Sequence, residues 1–185
     1  MSLSLPFSAS HLSTPVFPAC STLPQVEAWL LVITYSFPFL SFSAHGLRIG
    51  ESPLQAIIRE AAEEAHLPST YLQQNIRSTG CVTFSNRNPA GWILPGFYYT
   101  YDLPLPSDHS IRPKINPSDG EVDNFELLEA EDCFHKLLAG EFKPSSALAI
   151  IDFFTRHGLY TPSMDTSFAS VMQALRRDLT LPMPR

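Results

Sequence analysis

Five charged side chains lie in one short segment of the chain, residues 50–67. Glu63 and Glu64 follow Glu60 by three and four residues, a spacing that places all three carboxylates on one face of an α-helix. Because like charges held together repel one another, this arrangement is unfavourable unless a cation lies among them. Carboxylate oxygens suit Mg²⁺ or Mn²⁺, and these ions suit phosphate chemistry. The spacing therefore favours a metal-dependent site.

A second interpretation explains the same residues without a ligand, as the solvated face of an amphipathic helix. In both interpretations the acidic face lies away from an apolar stripe, which we expect to comprise Leu54, Ile57, Ile58, Ala61 and Ala65. Arg59 lies beside Glu63 on the helix surface. Glu51 precedes the helix, where it can fold back to hold Arg59.

The helix that must position these side chains has a clear predicted start. Ser52 is suited to cap it, Pro53 suits its first position, and Gln55 follows Ser52 by three residues, as in a capping box. We expect Pro68 to end the helix.

Strands are predicted in the middle of the chain. We expect an alternating strand near Arg77–Phe84, a turn at Asn86–Gly91 and an aromatic strand near Gly96–Leu103. A Pro-containing loop at Pro104–Gly120 and a short strand at Glu121–Leu128 are expected to follow.

Three helices are predicted in the last third. We expect them at Glu131–Leu138 before Gly140, at Ser146–His157 before Gly158, and from an N-cap at Asp165, with Phe168, Val171, Met172 and Leu175 on one face. Strands and helices mixed without a βαβ rhythm favour an α+β class, as an α/β/α sandwich with a mixed sheet.

The composition excludes several classes of protein. The 185 residues suit one domain, with or without a poorly organised tail, and 44% are hydrophobic, too many for disorder throughout. A net charge of −6 leaves no overall basic field for a nucleic acid or an anionic membrane. Cys20, Cys81 and Cys133 form no C-x-x-C pair, which argues against disulfides and a zinc knuckle and favours a cytoplasmic protein with reduced thiols.

The first 43 residues differ from the rest. Up to Leu47 the only charged residue is Glu27, and Ser and Pro are frequent. The apolar run that follows Glu27 is too short for a spanning helix, is interrupted by Pro38, and has no preceding Lys or Arg, as a signal peptide would have. We interpret the first 43 residues as a leader with one buried strand around Trp29–Tyr35. The alternatives are a segment that is cleaved or inserted into a membrane, and a segment that does not fold stably.

The complete acidic segment resembles the Nudix box, G-x5-E-x7-R-E-U-x-E-E-x-G-U, in which U is aliphatic. Matching positions are occupied by Glu51, Arg59, Glu60, Ala61, Glu63, Glu64 and Leu67. Two glycines depart from the pattern. The leading one falls at His45, next to Gly46, and the later one is replaced by His66, which we expect to be a strained left-handed helix cap rather than a ligand.

Further segments resemble the thiamine pyrophosphokinase-related branch of Nudix proteins, found in eukaryotes including fungi. They are Tyr101–Pro106, Asp119–Val122, Phe125–Leu128, Glu141–Pro144 and Asp152–Gly158, and the similarity spans about Ala44–Arg177. We therefore expect a leader at 1–43 and a Nudix domain at 44–185. Because the leader does not resemble the usual start of that branch, we expect the first strands of the sheet to be missing or replaced.

The resemblance implies hydrolysis of a small-molecule diphosphate, such as an oxidised thiamine diphosphate or a nucleoside diphosphate derivative. It implies that Glu60, Glu63 and Glu64 hold Mg²⁺ or Mn²⁺, that Glu63 or Glu64 activates water, and that Arg59, with Glu51, positions the cluster. Glu121 is a further candidate ligand or base, or an ordinary acid at a strand edge.

Two other functions stay open. The chain is alternatively a catalytically impaired Nudix protein that binds a ligand, or a protein-interaction module that uses its apolar leader and aromatic strand. Aromatic residues near that strand could stack on a heteroaromatic ring, although packing in the core explains most of them more simply: Trp92, Phe97, Tyr98, Tyr99 and Tyr101.

Overall fold

The computed structural model describes residues 31–34, 48–87, 90–106, 108–118, 122, 124–142 and 144–179 of the chain. Helices and antiparallel strands are both present in them, so the predicted α+β class is confirmed. In these residues the strands form two separate antiparallel pairs rather than one mixed sheet.

The longer pair is a hairpin formed by β2 (Arg77–Arg87) and β3 (Ile93–Asp102). Both strands extend further toward the turn than predicted, because each gains partners in the other's ladder there, while β3 ends one residue before the predicted Leu103. Gly96 lies opposite Phe84, and a Cβ at Gly96 would lie 2.5 Å from Cζ of the Phe84 ring. A side chain at Gly96 would therefore displace the Phe84 ring from its place across the neighbouring strand.

The shorter pair joins β1 (Leu31–Thr34) to β4 (Asn124–Leu127). The strand predicted in the leader is thus present over these four residues, while the other predicted residues of that strand lie outside the described part of the chain. Leu31 pairs with Leu127 and Thr34 with Asn124, so a segment of the leader supplies a strand to the fold. The expectation that the first strands of the sheet are missing or replaced stays a prediction.

The larger hydrophobic core lies between the hairpin and the last three helices, α3 (Ala130–Leu138), α4 (Pro144–Arg156) and α5 (Phe168–Leu175). Its buried members are Val82, Cys133, Phe134, Phe142, Ile150, Ile151, Phe154, Tyr160 and Leu175. The face predicted for the last helix is confirmed, since Phe168, Val171 and Met172 also pack against this core. The core holds the hairpin against the helices through apolar burial.

The smaller core surrounds α1 (Pro53–Ala65) and α2 (Ser69–Asn75). Its buried members are Ala61, Ala65, Leu67 and Leu72. The sequence interpretation missed α2, which is too short to show a helical period. Its hydrogen-bonded turns are instead stabilised by the complete burial of Leu72 beside α1.

Two predicted helix starts are displaced by about one half-turn. Helix α4 begins at Pro144, two residues before the predicted Ser146. The N-cap of α5 is Ser167 rather than Asp165, because the Asp165 carboxylate accepts hydrogen bonds from the Ser167 N–H and the Tyr160 hydroxyl and so organises the turn before the helix. Among the described residues, no helix combines the length and the apolar character that crossing a membrane requires.

Candidate functional site

The start of α1 has the geometry predicted from its sequence. The Ser52 hydroxyl accepts a hydrogen bond from the Gln55 N–H at 3.3 Å, and the Ser52 N–H donates to Gln55 Oε1 at 2.8 Å. Both bonds of the capping box are therefore present, with Pro53 at the first helical position. The cap sets the direction in which the chain enters the helix and places Glu51 directly before it.

Arg59 connects three carboxylates. Its Nε and Nη2 donate to the two oxygens of Glu51 at 2.9 and 3.0 Å, and its Nη1 donates to Glu60 at 2.6 Å and to Glu63 at 3.1 Å. The predicted contacts of Arg59 with Glu51 and Glu63 are both present. Because Nε and both terminal nitrogens already have carboxylate partners, the guanidinium group is suited to hold the cluster in place rather than to bind a ligand.

These contacts change the acidity of the pair. The hydrogen bonds from the Arg59 side chain, followed by the bond from the Arg48 backbone N–H, lower the pKa of Glu51 from 4.5 to about 2. The same bond to Glu51 raises the pKa of Arg59 above its ordinary value, although burial acts in the opposite direction. Both groups are therefore charged over the whole physiological range.

The acidic face of α1 differs from both sequence interpretations. Glu60 and Glu64 are buried, with 8% and 6% of their surface exposed, whereas the side chain of Glu63 is 48% exposed. Leu54, assigned to the apolar stripe, is exposed. The expectation that the acidic face lies away from the buried side is therefore wrong for Glu60 and Glu64.

The reason lies in the helical period. Ile57, Glu60, Ala61 and Glu64 are related by three, four and seven positions, so they occupy one stripe, and that stripe faces the interior. Burying carboxylates is costly unless charged or polar partners compensate. Glu60 and Glu64 are thus not residues of a solvated surface, and the interpretation without a ligand loses its main support for these two positions.

The end of α1 is held in an unusual way. His66 caps the helix with φ 50° and ψ 30°, and its N–H donates to Ala61 O, so the predicted left-handed conformation is confirmed. Two carbonyl groups of the last turn accept hydrogen bonds from a distant loop. These donors lie in the loop between β3 and β4, far along the chain from α1. The Lys114 N–H donates to Ala65 O at 2.9 Å, and Asn116 Nδ2 donates to Glu63 O at 2.7 Å.

Arg48 is a site residue that the sequence interpretation missed. Its Nη2 lies 3.7 Å from Glu63 Oε1, its backbone N–H donates to Glu51 Oε2 at 3.1 Å, and its guanidinium group is largely exposed. The sequence signal that could have indicated this role is the position of Arg48, a cationic residue three positions before Glu51. Among the described residues, the Arg48 side chain has one long ion pair where Arg59 has four hydrogen bonds, so the Arg48 side chain can turn toward an anionic ligand.

The donor chemistry of this segment fits a divalent cation. Residues 48–64 carry four carboxylates and two guanidinium groups, an excess of two negative charges, and hard carboxylate oxygens suit Mg²⁺ or Mn²⁺. Within the part of the chain that the structure describes, no three acidic, imidazole or thiol groups converge closely enough to enclose an ion. The fourth predicted ligand, Glu121, lies outside the described residues.

The aromatic residues of the hairpin divide between two environments. Tyr98 stacks on Phe84 with ring centroids 4.3 Å apart and packs against the larger core, as the packing interpretation predicted. Burial raises the pKa of Tyr101. Trp92 and Tyr99 are instead exposed, at 72% and 48%. The side chain of Phe97 lies outside the described part.

A second group of charges, unforeseen from the sequence, joins β3 to α4. Both terminal nitrogens of Arg156 donate to Asp102, at 2.6 and 2.8 Å, and its Nε donates to buried Asp152 at 2.8 Å. His157 Nε2 lies 2.9 Å from Asp102. Burial opposes the ionisation of Asp102, but the bonds to Arg156 and His157 outweigh it and lower its pKa.

Comparison with known proteins places the site in context. The chain is 32% identical over 149 residues to an uncharacterized protein of Saccharomyces cerevisiae. The aligned region covers 75% of this chain and 42% of that protein. It is also 32% identical over 120 residues to Nudix hydrolase 24, chloroplastic, of Arabidopsis thaliana. Here the aligned region covers 64% of this chain and 31% of that protein. No family model matches the chain. The chain thus spans less than half the length of either relative and is similar to a Nudix hydrolase over about two thirds of its own length.

Proposed function

We propose that this protein is a Nudix-type hydrolase that cleaves a small-molecule diphosphate with Mg²⁺ or Mn²⁺ as cofactor. The observation that carries the proposal is the arrangement on α1. Arg59 holds Glu51, Glu60 and Glu63 together, while Glu60 and Glu64 occupy the buried side of the same helix. Similarity to a Nudix hydrolase supports the same conclusion, and the Nudix domain is proposed to span residues 44–185.

In this proposal Glu60, Glu63, Glu64 and Glu121 are the metal ligands. The cation, when bound, would offset the negative charge that develops on the diphosphate during hydrolysis. Arg59 and Glu51 position the ligands, since their hydrogen bonds to each other are short and bidentate. The residues therefore divide into ligands and the pair that orients them.

Glu63 and Glu64 are the two candidates for activating water. Glu63 has the more accessible carboxylate, and its oxygens are shared between Arg59 and Arg48. Glu64 is buried and so suits a ligand that remains fixed. We therefore assign the role of base to Glu63.

Diphosphates of two classes are the substrates to test first. The first class is oxidised thiamine diphosphates, which the resemblance to the thiamine pyrophosphokinase-related branch suggests. The second class is nucleoside diphosphate derivatives. Exposed Arg48 is available to either, because both present a negatively charged diphosphate.

The experiment is Mg²⁺-dependent hydrolysis of both classes, with Glu63→Gln and Glu64→Gln as variants. It is followed as inorganic phosphate for thiamine diphosphates and as nucleoside monophosphate for nucleoside diphosphate derivatives. We expect each variant to lower kcat by about 100-fold or more, as loss of a general base or ligand does. Glu129→Gln is the matched control, because Glu129 is an exposed carboxylate on another element, before α3. A folded wild-type protein that hydrolyses none of these diphosphates contradicts the proposal.

Trp92, Ile93 and Tyr99 support a second candidate function, protein interaction. All three are large, apolar and exposed on or beside β3. A catalytically impaired protein would use this surface for binding. Light scattering over a concentration series tests self-association, and a Trp92→Ser variant serves as control; a mass that stays monomeric throughout argues against self-association through this surface.

A further inference from the structure

The loop between β3 and β4 crosses the end of α1. We name residues 103–118 the strap; residue 107 lies outside the described part. The strap packs on the smaller core through Leu103, Leu105 and Ile111. At its start, the Tyr71 hydroxyl donates to Pro104 O at 2.6 Å. The strap is therefore anchored to α2 before it reaches the last turn of α1.

The last turn of α1 requires outside partners. The final four carbonyl groups of an α-helix have no intrahelical donor, and a non-glycine residue in the left-handed region is strained. His66 occupies that region here. The strap supplies two of the missing donors, the Lys114 N–H to Ala65 O and the Asn116 side chain to Glu63 O.

The Asn116 amide is fixed at both of its ends. Its Nδ2 donates to Glu63 O at 2.7 Å, and its Oδ1 accepts from the Ser118 N–H at 3.1 Å. An acceptor faces Nδ2 and a donor faces Oδ1, so the amide has only one favourable orientation. Asn116 therefore ties the backbone of Glu63 to the strap through a single side chain.

We propose that Asn116 is a positioning residue for Glu63. This inference rests on the proposed function, because it gives Glu63 a role in metal binding and catalysis. Glu63 and Glu64 both lie in the last turn of α1, so their placement relative to Glu60 depends on that turn remaining helical. Asn116 stabilises the turn at the residue whose side chain is the most exposed of the three.

The test is an Asn116→Asp variant, which keeps the shape of the side chain but cannot donate to Glu63 O when ionised. Gln73→Glu is the matched control, since it is also an amide-to-acid change, on an exposed position of neighbouring α2. Mn²⁺ binding is measured by calorimetry, and phosphate release is measured as a function of Mn²⁺ concentration. Hydrogen exchange of α1 and α4 is followed by mass spectrometry.

We expect Asn116→Asp to weaken Mn²⁺ binding by about fivefold or more, the scale of one lost hydrogen bond. Activity should return toward the wild-type kcat at saturating Mn²⁺, because a positioning residue does not itself react. Exchange should accelerate in the last turn of α1 and stay unchanged in α4. A general loss of stability would accelerate exchange in both helices.

Two results overturn the inference: unchanged exchange at the end of α1, or Mn²⁺ affinity equal to that of Gln73→Glu in a folded variant. If the wild type binds Mn²⁺ but hydrolyses no diphosphate, the proposed function fails while the binding and exchange data still decide the role of Asn116. If the wild type binds no Mn²⁺, the positioning role for a metal ligand fails with it.

Discussion

Glu51 accepts two hydrogen bonds from Arg59, one from Nε at 2.9 Å and one from Nη2 at 3.0 Å. The remaining nitrogen of the guanidinium group contacts Glu60 and Glu63. A residue just before the helix is thereby connected to two carboxylates within it. Since a lysine has no planar fork, no lysine can reproduce these contacts together.

Arg59→Lys should therefore lower kcat/KM by about 10- to 100-fold, the effect typical of residues that orient metal ligands. The charge is retained, so the loss would report geometry rather than electrostatics. Mg²⁺-dependent phosphate release measures it, with Arg177→Lys, an exposed position, as control. Equal activity of the two variants would show that the bidentate contact is dispensable.

Glu51 should make stability depend on acid pH. Its pKa is about 2 in the folded protein and 4.5 ordinarily, so the folded state favours the ionised form. This contribution is present in full above pH 4.5 and is lost as pH falls toward 2. Urea unfolding of wild type and Glu51→Gln should differ at pH 7 and converge near pH 2. A difference that is constant with pH contradicts the prediction.

His66→Gly should stabilise the protein by about 1 kcal/mol, because glycine adopts φ 50° without the strain that a side chain imposes. Part of the gain is offset by the greater freedom of glycine in the unfolded chain. Urea unfolding at neutral pH measures the change. His66→Ala, which retains a Cβ, is the control and should give no increase; a gain of equal size in both variants would disprove the explanation.

Asp152 should be important for stability. It is 1% exposed and accepts hydrogen bonds from Arg156 at 2.8 Å and from Arg176 at 2.6 Å. Asp152→Asn should cost about 2 kcal/mol, less than for a fully buried pair, because both arginines remain partly exposed to water. Thermal and urea unfolding measure this loss of stability. Asp132→Asn, which changes an exposed carboxylate on α3, is the control. A neutral Asp152→Asn would contradict the prediction.

The two cysteines in the described residues should react differently. Cys81 is exposed, whereas Cys133 is buried and its burial raises the pKa of the thiol to about 12. In a Cys20→Ser background, a thiol reagent at pH 8 should modify one site in the native protein and two in urea. Peptide mapping identifies them, and rapid native modification of Cys133 would be inconsistent with the packing of the larger core.

The features of α1 that depend on near neighbours could be predicted from the sequence. Ser52 and Gln55 cap each other across three residues, Arg59 and Glu63 are one turn apart, and His66 follows the last helical residue. Such contacts are set by the geometry of one helix, so they could be predicted without knowing the fold.

Which side of α1 is buried, and which residues contact its end, depend on the rest of the fold. Glu60 and Glu64 are buried together with Ile57 and Ala61, whereas Leu54 is exposed, and the order of residues within one helix does not decide this. Asn116 reaches Glu63 across 53 positions, and Arg156 reaches Asp102 across 54. Local propensity carries no information about such pairs; burial of apolar surface and the path of the connecting loops bring them together.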